Sequence, residues 1–235
     1  PGYGSVEACR FVREVRLLRL LHHPHVVRFV GAVWDHSAML VTEMCDGSVH
    51  DALRDGTAGT LDAPLIAAQI ARALRFLHAL RLSHRDVKGA NVLLTDGGAK
   101  LADFGVARSV TDGAMTTVVG SGMWAAPEVR FGDPRPRYDE RCDCFSFGVL
   151  LLELTDHARV YGEYAANFQI AVDFQRPDLK WLEGAWAAPF VNETWVADPA
   201  ARATFAELTP RLEALAGLDA EAVDDAAMEA THARV

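Results

Sequence analysis

At 235 residues, half of them apolar, the chain is long enough for one large domain or two small lobes. A net charge of −9, with no basic cluster interleaved with aromatics, argues against a nucleic-acid-binding surface. Cys9, Cys45, Cys142 and Cys144 form no CxxC pair and no His-Cys ligand set, which argues against zinc and a disulfide framework and leaves a reducing, cytoplasmic compartment as the expectation.

In chain order, PGYGSV is either the tail of a glycine-rich phosphate loop or a frayed terminus. Phe11, Val15, Leu18 and Leu21 recur at helical spacing and predict an amphipathic helix ended before HHPHV by Pro24. Glu14 lies on it. Val26 to Trp34 and Ala38 to Met44 are apolar runs separated by the WDHS turn, which predicts two antiparallel strands. SVHDALRD reads as a short helix with Ser48 as N-cap and Asp51 at the capping-box position. Ile66, Ile70, Ala73, Leu74 and Leu77 form the stripe of a long buried helix that delivers the chain to His84.

From His84 to Arg108 the chain reads as loop, strand, turn and strand, with TDGG carrying the Asp-Gly chemistry of a tight hairpin. Pairing of the two strands brings Asp103 toward Asp86, 17 positions earlier, and gathers two carboxylates, the Asn91 amide and Lys88 at one pocket. Val106 to Ala125, small and polar, predicts a mobile loop. The longest apolar run, Phe145 to Leu154, is interrupted by Gly148 and Glu153, is far too short to span a bilayer, and reads as a buried core helix. The chain opens with Pro rather than Met and shows no signal peptide. The segment 217–235 has five acids against one arginine and few large apolar residues, which predicts a frayed helix or a disordered tail.

His84-Arg85-Asp86, Lys88, Asn91, Asp103-Phe104-Gly105 and Ala126-Pro127-Glu128 resemble, in order and spacing, the eukaryotic-type protein kinases. The resemblance runs from about Phe11 to Leu215. It implies an α+β, protein-kinase-like fold: residues 1–45 a partial N-lobe, residues 46–216 a mainly helical C-lobe, and residues 217–235 the acidic tail. It implies transfer of the ATP γ-phosphate to Ser/Thr hydroxyls of protein substrates in signalling, with Mg²⁺ as metal. Asp86 would accept or orient the hydroxyl proton, Asn91 and Asp103 would hold magnesium, and Lys88 would offset charge on the transferring group. Thr42 falls at the gatekeeper position, Glu43 to Cys45 at the adenine-binding hinge, and Leu93 at the floor under adenine.

His84 is implied to be structural, stacked with Phe104 and Leu18. Gly105 completes the metal-binding triplet, and Asp143 would bind the backbone of the His84 loop. Glu128 would pair with Arg202, and Ser121 would meet the catalytic loop. Thr111, Thr116 and Thr117 are candidate phosphosites, with Arg85 and Arg108 as partners for the added charge. GSGMWAAPEV, HHPHVVRFVGA and FSFGVLLLEL look most like the tyrosine-kinase-like branch of Ser/Thr kinases, and Lys88 favours Ser/Thr over tyrosine.

The chain departs from the family where nucleotide is anchored. The family's glutamate on the helix of Glu14 pairs with a lysine on the N-lobe's third strand, but the first lysine here is Lys88, and only seven residues lie between Val6 and Glu14. Glu14 is therefore either that glutamate or a solvated surface charge. Three readings stay open: an active kinase, a pseudokinase or scaffold with little catalysis, and an incomplete chain lacking the first three strands, with regulatory domains outside it. Lys100, on the strand before Asp103, is expected to point to solvent.

Overall fold

The computed structural model describes residues 6–35, 38–57, 61–109, 122–130, 138–156, 158, 160, 179–220 and 231. Two small sheets and a strand pair sit on a helical body. The core runs continuously from Leu17 and Leu18 through the buried faces of the long helices to Leu212.

Helix α1 spans Val6–Leu18. It begins earlier and ends earlier than the apolar stripe predicts. Glu7, Ala8 and Arg10 favour helix, while at the far end Leu20 N–H turns back to Leu17 O at 2.9 Å in a tighter turn. Leu21 leaves the helix yet remains buried. Strands β1 (Phe29–Trp34) and β2 (Ala38–Thr42) pair antiparallel, with an irregularity between Phe29 and Gly31. The predicted first strand began at Val26, but Val26 and Val27 pair elsewhere. Val27 N–H donates to Leu101 O at 2.9 Å, and Leu101 N–H donates to His25 O at 2.9 Å. Apolar patterning identifies extended chain but not its partner.

Strand β3 (Gly47–Ser48) leads into α2 (Val49–Arg54), where Ser48 and Asp51 form the capping box. Helix α3 (Ala63–Ala79) buries Ile66, Ile70, Ala73, Leu74 and Leu77, the stripe the sequence marks. Strand β4 (Leu82–Ser83) precedes the loop at His84, and a 3-10 turn over Gly89–Asn91 leads to β5 (Val92–Thr95). Strand β6 (Gly98–Leu101) pairs with β5 across the Asp96-Gly97 turn, and the sheet order is β3-β5-β6. Gly98, at φ 112, takes a conformation open to glycine. Strand β7 (Arg108–Ser109) pairs with β4, so the predicted mobile loop begins as ordered strand.

Helix α4 is Pro127–Arg130, and α5 (Arg141–Thr155) is buried on nearly every side. Helices α6 (Ala188–Thr194) and α7 (Phe205–Leu215) complete the body. Past α7, Leu218 N–H bonds back to Glu213 O and Asp219 O accepts from Arg72. The start of the acidic tail is therefore fastened to α3. The glycine-containing opening at 1–5, the candidate phosphosites Thr111, Thr116 and Thr117, and Ser121 lie outside the described residues.

Candidate active site

The loop at 84–91 is fixed from below by one buried carboxylate. Asp143, near the start of α5, accepts His84 N–H at 2.8 Å and Arg85 N–H at 2.7 Å. Ser83 Oγ donates to it at 3.1 Å, and His78 Nε2 lies 3.0 Å away. Burial works to raise the Asp143 carboxyl, but these partners outweigh it and hold the group below its ordinary range. Arg85 at φ 68 and Asp103 at φ 62 both adopt left-handed backbone, a strain typical of functional turns.

Above this anchor, Asp86 carries two charge-assisted contacts. Lys88 Nζ lies 2.6 Å from its Oδ2, and Asn91 Nδ2 donates to the same oxygen at 3.0 Å and to Asp86 O at 2.9 Å. The hairpin is closed onto the loop through Ala102, whose N–H bonds to Asn91 O at 2.9 Å and whose carbonyl accepts from His84 Nε2 at 2.9 Å. That bond places the proton on Nε2 and leaves Nδ1 to accept Asp86 N–H at 3.3 Å. Burial lowers the His84 pKa, so the ring is neutral. Its contact with Phe104 is edge-on rather than stacked, with centroids 4.9 Å apart. Leu18 is buried in the same core.

Asp103, the residue after Ala102, is exposed, and its Oδ1 accepts Gly105 N–H at 3.3 Å. Glu14 is not a solvated surface charge. It is half-buried, its pKa is raised by burial and then by the charge of Asp103, and it accepts a bond from the Phe104 backbone. Two carboxylates so placed repel one another, and a cation beside them would relieve that repulsion. The Asn91 amide and the Asp103 carboxylate supply hard oxygen donors, the kind magnesium takes. Among the described residues no cluster of three or more His, Cys, Asp or Glu could hold a metal alone, so phosphate oxygens and water would have to complete the shell.

The expected hinge is tied to the β5-β6 hairpin. Asp46 N–H donates to Leu94 O at 2.9 Å, and Leu93 pairs in register with Ser48 on one side and Lys100 on the other. Lys100 does not point to solvent. Its Nζ lies 2.9 Å from Glu43 Oε1, which also accepts Arg28 N–H at 2.7 Å. Thr42 Oγ1 donates to the Glu43 carbonyl at 3.3 Å, and Cys45 Sγ approaches it at 3.9 Å.

Farther from the pocket, Arg202 forms a forked pair with Glu128 at 2.6 and 2.8 Å. Arg85 donates to Val106 O and, at 3.0 Å, to Tyr138 Oη. Sequence reasoning gave no role to Tyr138, His78 or Trp124, and read Glu153 only as a break in an apolar run. Glu153 is wholly buried on α5, accepting Gly89 N–H at 3.0 Å and the Trp124 indole N–H. An acid inside an otherwise apolar helix was the available signal.

The protein kinase domain family matches residues 4–211. The chain belongs to the protein kinase family. It is similar to the serine/threonine-protein kinases STY17 and STY46 of Arabidopsis thaliana, at 34% identity over 226 and 217 residues, covering 92% and 88% of the chain. It is also similar to serine/threonine-protein kinase hippo of Drosophila melanogaster, at 35% identity over 210 residues and 84% of the chain. This kinase chain spans 39%, 37% and 31% of the lengths of those three relatives. No described helix is long and apolar enough to cross a membrane.

Proposed function

We propose that this kinase chain transfers the ATP γ-phosphoryl group to Ser/Thr hydroxyls of protein substrates in signalling. The observation that carries the reading is the doubly held Asp86 carboxylate, bonded by Lys88 and Asn91 on a loop that α5 fixes through Asp143. Asp86 takes up the substrate hydroxyl proton, and Lys88, beside it, balances charge on the phosphoryl side. Asn91 and Asp103 are the oxygen donors for magnesium, which supplies charge neutralisation of the phosphates when bound. Thr42, Glu43, Cys45 and Leu93 form the adenine side. We divide the chain into a partial N-lobe, residues 1–45, a C-lobe, residues 46–216, and a tail, residues 217–235, whose Asp219 carbonyl accepts from Arg72 of α3. Serine/threonine-protein kinases among its relatives support the choice of hydroxyl. The reading extends to regulation: a phosphate on Thr111, Thr116 or Thr117 would meet Arg108 and would compete with Val106 O and Tyr138 Oη for Arg85.

A second reading, a scaffold with little catalysis, is favoured by one observation. The only lysines before Lys180 are Lys88 and Lys100, and each lies against a carboxylate. Loss of one preorganised donor costs about two to three orders of magnitude in rate, so residues 1–235 should bind Mg-ATP weakly and turn over slowly. A thermal-shift titration with Mg-ATP beside a radiolabel transfer assay separates the readings. Asp86→Asn should remove the residual transfer and leave Mg-ATP affinity nearly unchanged, whereas Asp103→Asn should weaken magnesium-dependent binding itself. Equal losses of binding in both variants refute the division of roles, and no transfer above the Asp86→Asn background favours the scaffold.

A further inference from the structure

We propose that Gln69 is a positioning residue for the two oxygen donors of the pocket, Asn91 and Asp103, because its amide holds the strand that leads to Asp103 from the side β5 does not reach. The hold on the strand is independent of function; its consequence for magnesium rests on the assignment of Asn91 and Asp103 given above.

Successive residues of an antiparallel strand turn their N–H and C=O groups to opposite sides. On the β5 side, Ala102 N–H bonds to Asn91 O and the Gly98 carbonyl accepts from Thr95 Oγ1. Ala99 and Leu101 therefore turn theirs the other way, where β6 is the edge of its sheet among the described residues. Buried backbone groups at such an edge need partners, and these have them. Leu101 uses the chain just after Pro24: its N–H donates to His25 O and its carbonyl accepts Val27 N–H, both at 2.9 Å. Ala99 uses side chains instead. Its carbonyl accepts from His25 Nδ1 at 3.1 Å, and its N–H donates to Gln69 Oε1 at 2.8 Å. Gln69 thus completes the edge from α3 at the point where the neighbouring chain gives way.

Gln69 is 7% exposed, between fully buried Ala68 and Ile70. A buried amide is costly unless it is bonded, so a position that only filled space would favour leucine or methionine. The turn opposite is shaped to receive it. Gly98 has φ 112, and an added Cβ there would run into the Gln69 amide, so the side chain reaches the strand only because residue 98 is glycine. From Ala99 the strand runs to Ala102, whose bond to Asn91 O is followed directly by Asp103. The two donors therefore flank one backbone link. A β6 strand that lifts from α3 at Ala99 loosens that link and changes the spacing of the donors. Magnesium demands near-ideal octahedral geometry, so this spacing bears on its affinity. Because α3 is buried along much of its length, Gln69 ties the donors to the core of the molecule rather than to the turns beside them.

The hold on the strand is tested without nucleotide, by amide exchange in ¹³C,¹⁵N-labelled residues 1–235. Gln69→Met keeps length and volume but removes the acceptor, and should speed exchange of the Ala99 amide, and of the Ala102 amide beyond it, on the order of tenfold, the effect of one lost hydrogen bond. Gln69→Glu keeps an oxygen acceptor and should restore protection at Ala102. Should Gln69→Met fail to fold, the coupling carried across the hydrogen bond from the Ala99 nitrogen to the Gln69 side-chain carbonyl carbon decides in the unaltered chain, and its absence overturns the hold. Ala102 exchange unchanged in Gln69→Met, or accelerated no more than that of the α5 amides, overturns it as well. Positioning is read with Mg²⁺ in a thermal-shift titration at fixed ATP. Gln69→Met should raise the Mg²⁺ concentration at half effect on the order of tenfold, the low end of what partners outside the metal shell contribute, and should leave the shift by ATP alone unchanged. A lower Tm with that concentration unmoved would make Gln69 merely structural and overturn the positioning role. An unaltered chain with no magnesium-dependent shift would refute the metal assignment itself, while the exchange data would still decide the hold on the strand.

Discussion

Arg202 spends its guanidinium on five contacts. Beyond the two oxygens of Glu128 it donates to Val196 O at 2.7 Å, Ala197 O at 3.0 Å and Arg141 O at 3.1 Å, and it lies 5.1 Å from the centre of the Phe145 ring. Removing one partner of a buried pair leaves the other charge without compensation, at about 3–5 kcal/mol. Arg202→Ala should therefore lower stability by about that amount in urea unfolding, and Arg202→Lys should recover little because an ammonium lacks the planar fork. A cost under about 1 kcal/mol would show the pair to be inessential. Glu153 gives a pH-dependent prediction. Burial pushes its carboxyl up to about 8 despite the indole, the Gly89 amide and Lys88. The folded chain then keeps a proton that the unfolded chain has lost, so stability is highest below the unfolded carboxyl pKa and falls as pH rises toward 8. The slope is at most about 1.4 kcal/mol per unit. Glu153→Gln should flatten that slope, measured by urea midpoints between about pH 5 and about pH 8; an unchanged slope would assign it to other groups.

Among the elements, packing between α5 and α6 leaves no room at Gly148. A Cβ there would lie 2.6 Å from Thr194 Oγ1 and 3.1 Å from Trp195 Cβ, and Thr194 Oγ1 is already bonded to Phe190 O at 2.7 Å. Gly148→Ala gains helix propensity yet should lose about 1–3 kcal/mol through overpacking, seen as a lower Tm; a higher Tm would mean the helices can separate freely. Such close approaches are invisible in sequence, whereas features carried by local chemistry were legible. The Ser48-Asp51 box, the hairpin turn at Asp96-Gly97 and the stripe of α3 each follow from a few neighbouring residues. What local chemistry does not encode is which segment covers a face. Lys100 alternates with buried Ala99 and Leu101, so its side chain belongs on the face of Leu93, but the presence of Glu43 on that face is a tertiary fact. Val26 shows the same limit, since an extended apolar residue reads alike beside either partner. In the site, Asp86, Lys88 and Asn91 lie in contact with one another, while Asp103 faces Glu14; the partners of Glu153 and Trp124 went unread because an acid in an apolar helix flags a buried polar contact without naming what it touches.

At the scale of the whole molecule, the unequal support of its two sheets governs behaviour in solution. The sheet of β3, β5 and β6 lies against α3 and the central core, whereas β1 and β2, among the described residues, pair only with each other. Their inner side meets α1, with the Phe11 and Trp34 rings 5.2 Å apart. The register places Val33 opposite Met39 and Gly31 opposite Val41, so Val33, Met39 and Val41 share the other face. They are 43%, 52% and 43% exposed. Apolar surface lies largely on the hairpin rather than on α1, since Leu17 and Leu18 are buried and, among the described residues of that helix, only Val12 is a strongly exposed large apolar residue. A two-stranded ribbon is marginal in water, and an apolar face beside open strand edges favours pairing between copies. The net charge of −9 opposes association through long-range repulsion, but salt screens that term and leaves the apolar attraction in place. Residues 1–235 should therefore associate more readily as salt is raised, and Met39→Lys together with Val41→Thr should suppress it by charging one strand and removing β2 apolar area. Light scattering across a salt series checks this: association that weakens with salt, or that survives both substitutions unchanged, would locate the contact elsewhere and make it electrostatic in origin or dependent on another surface.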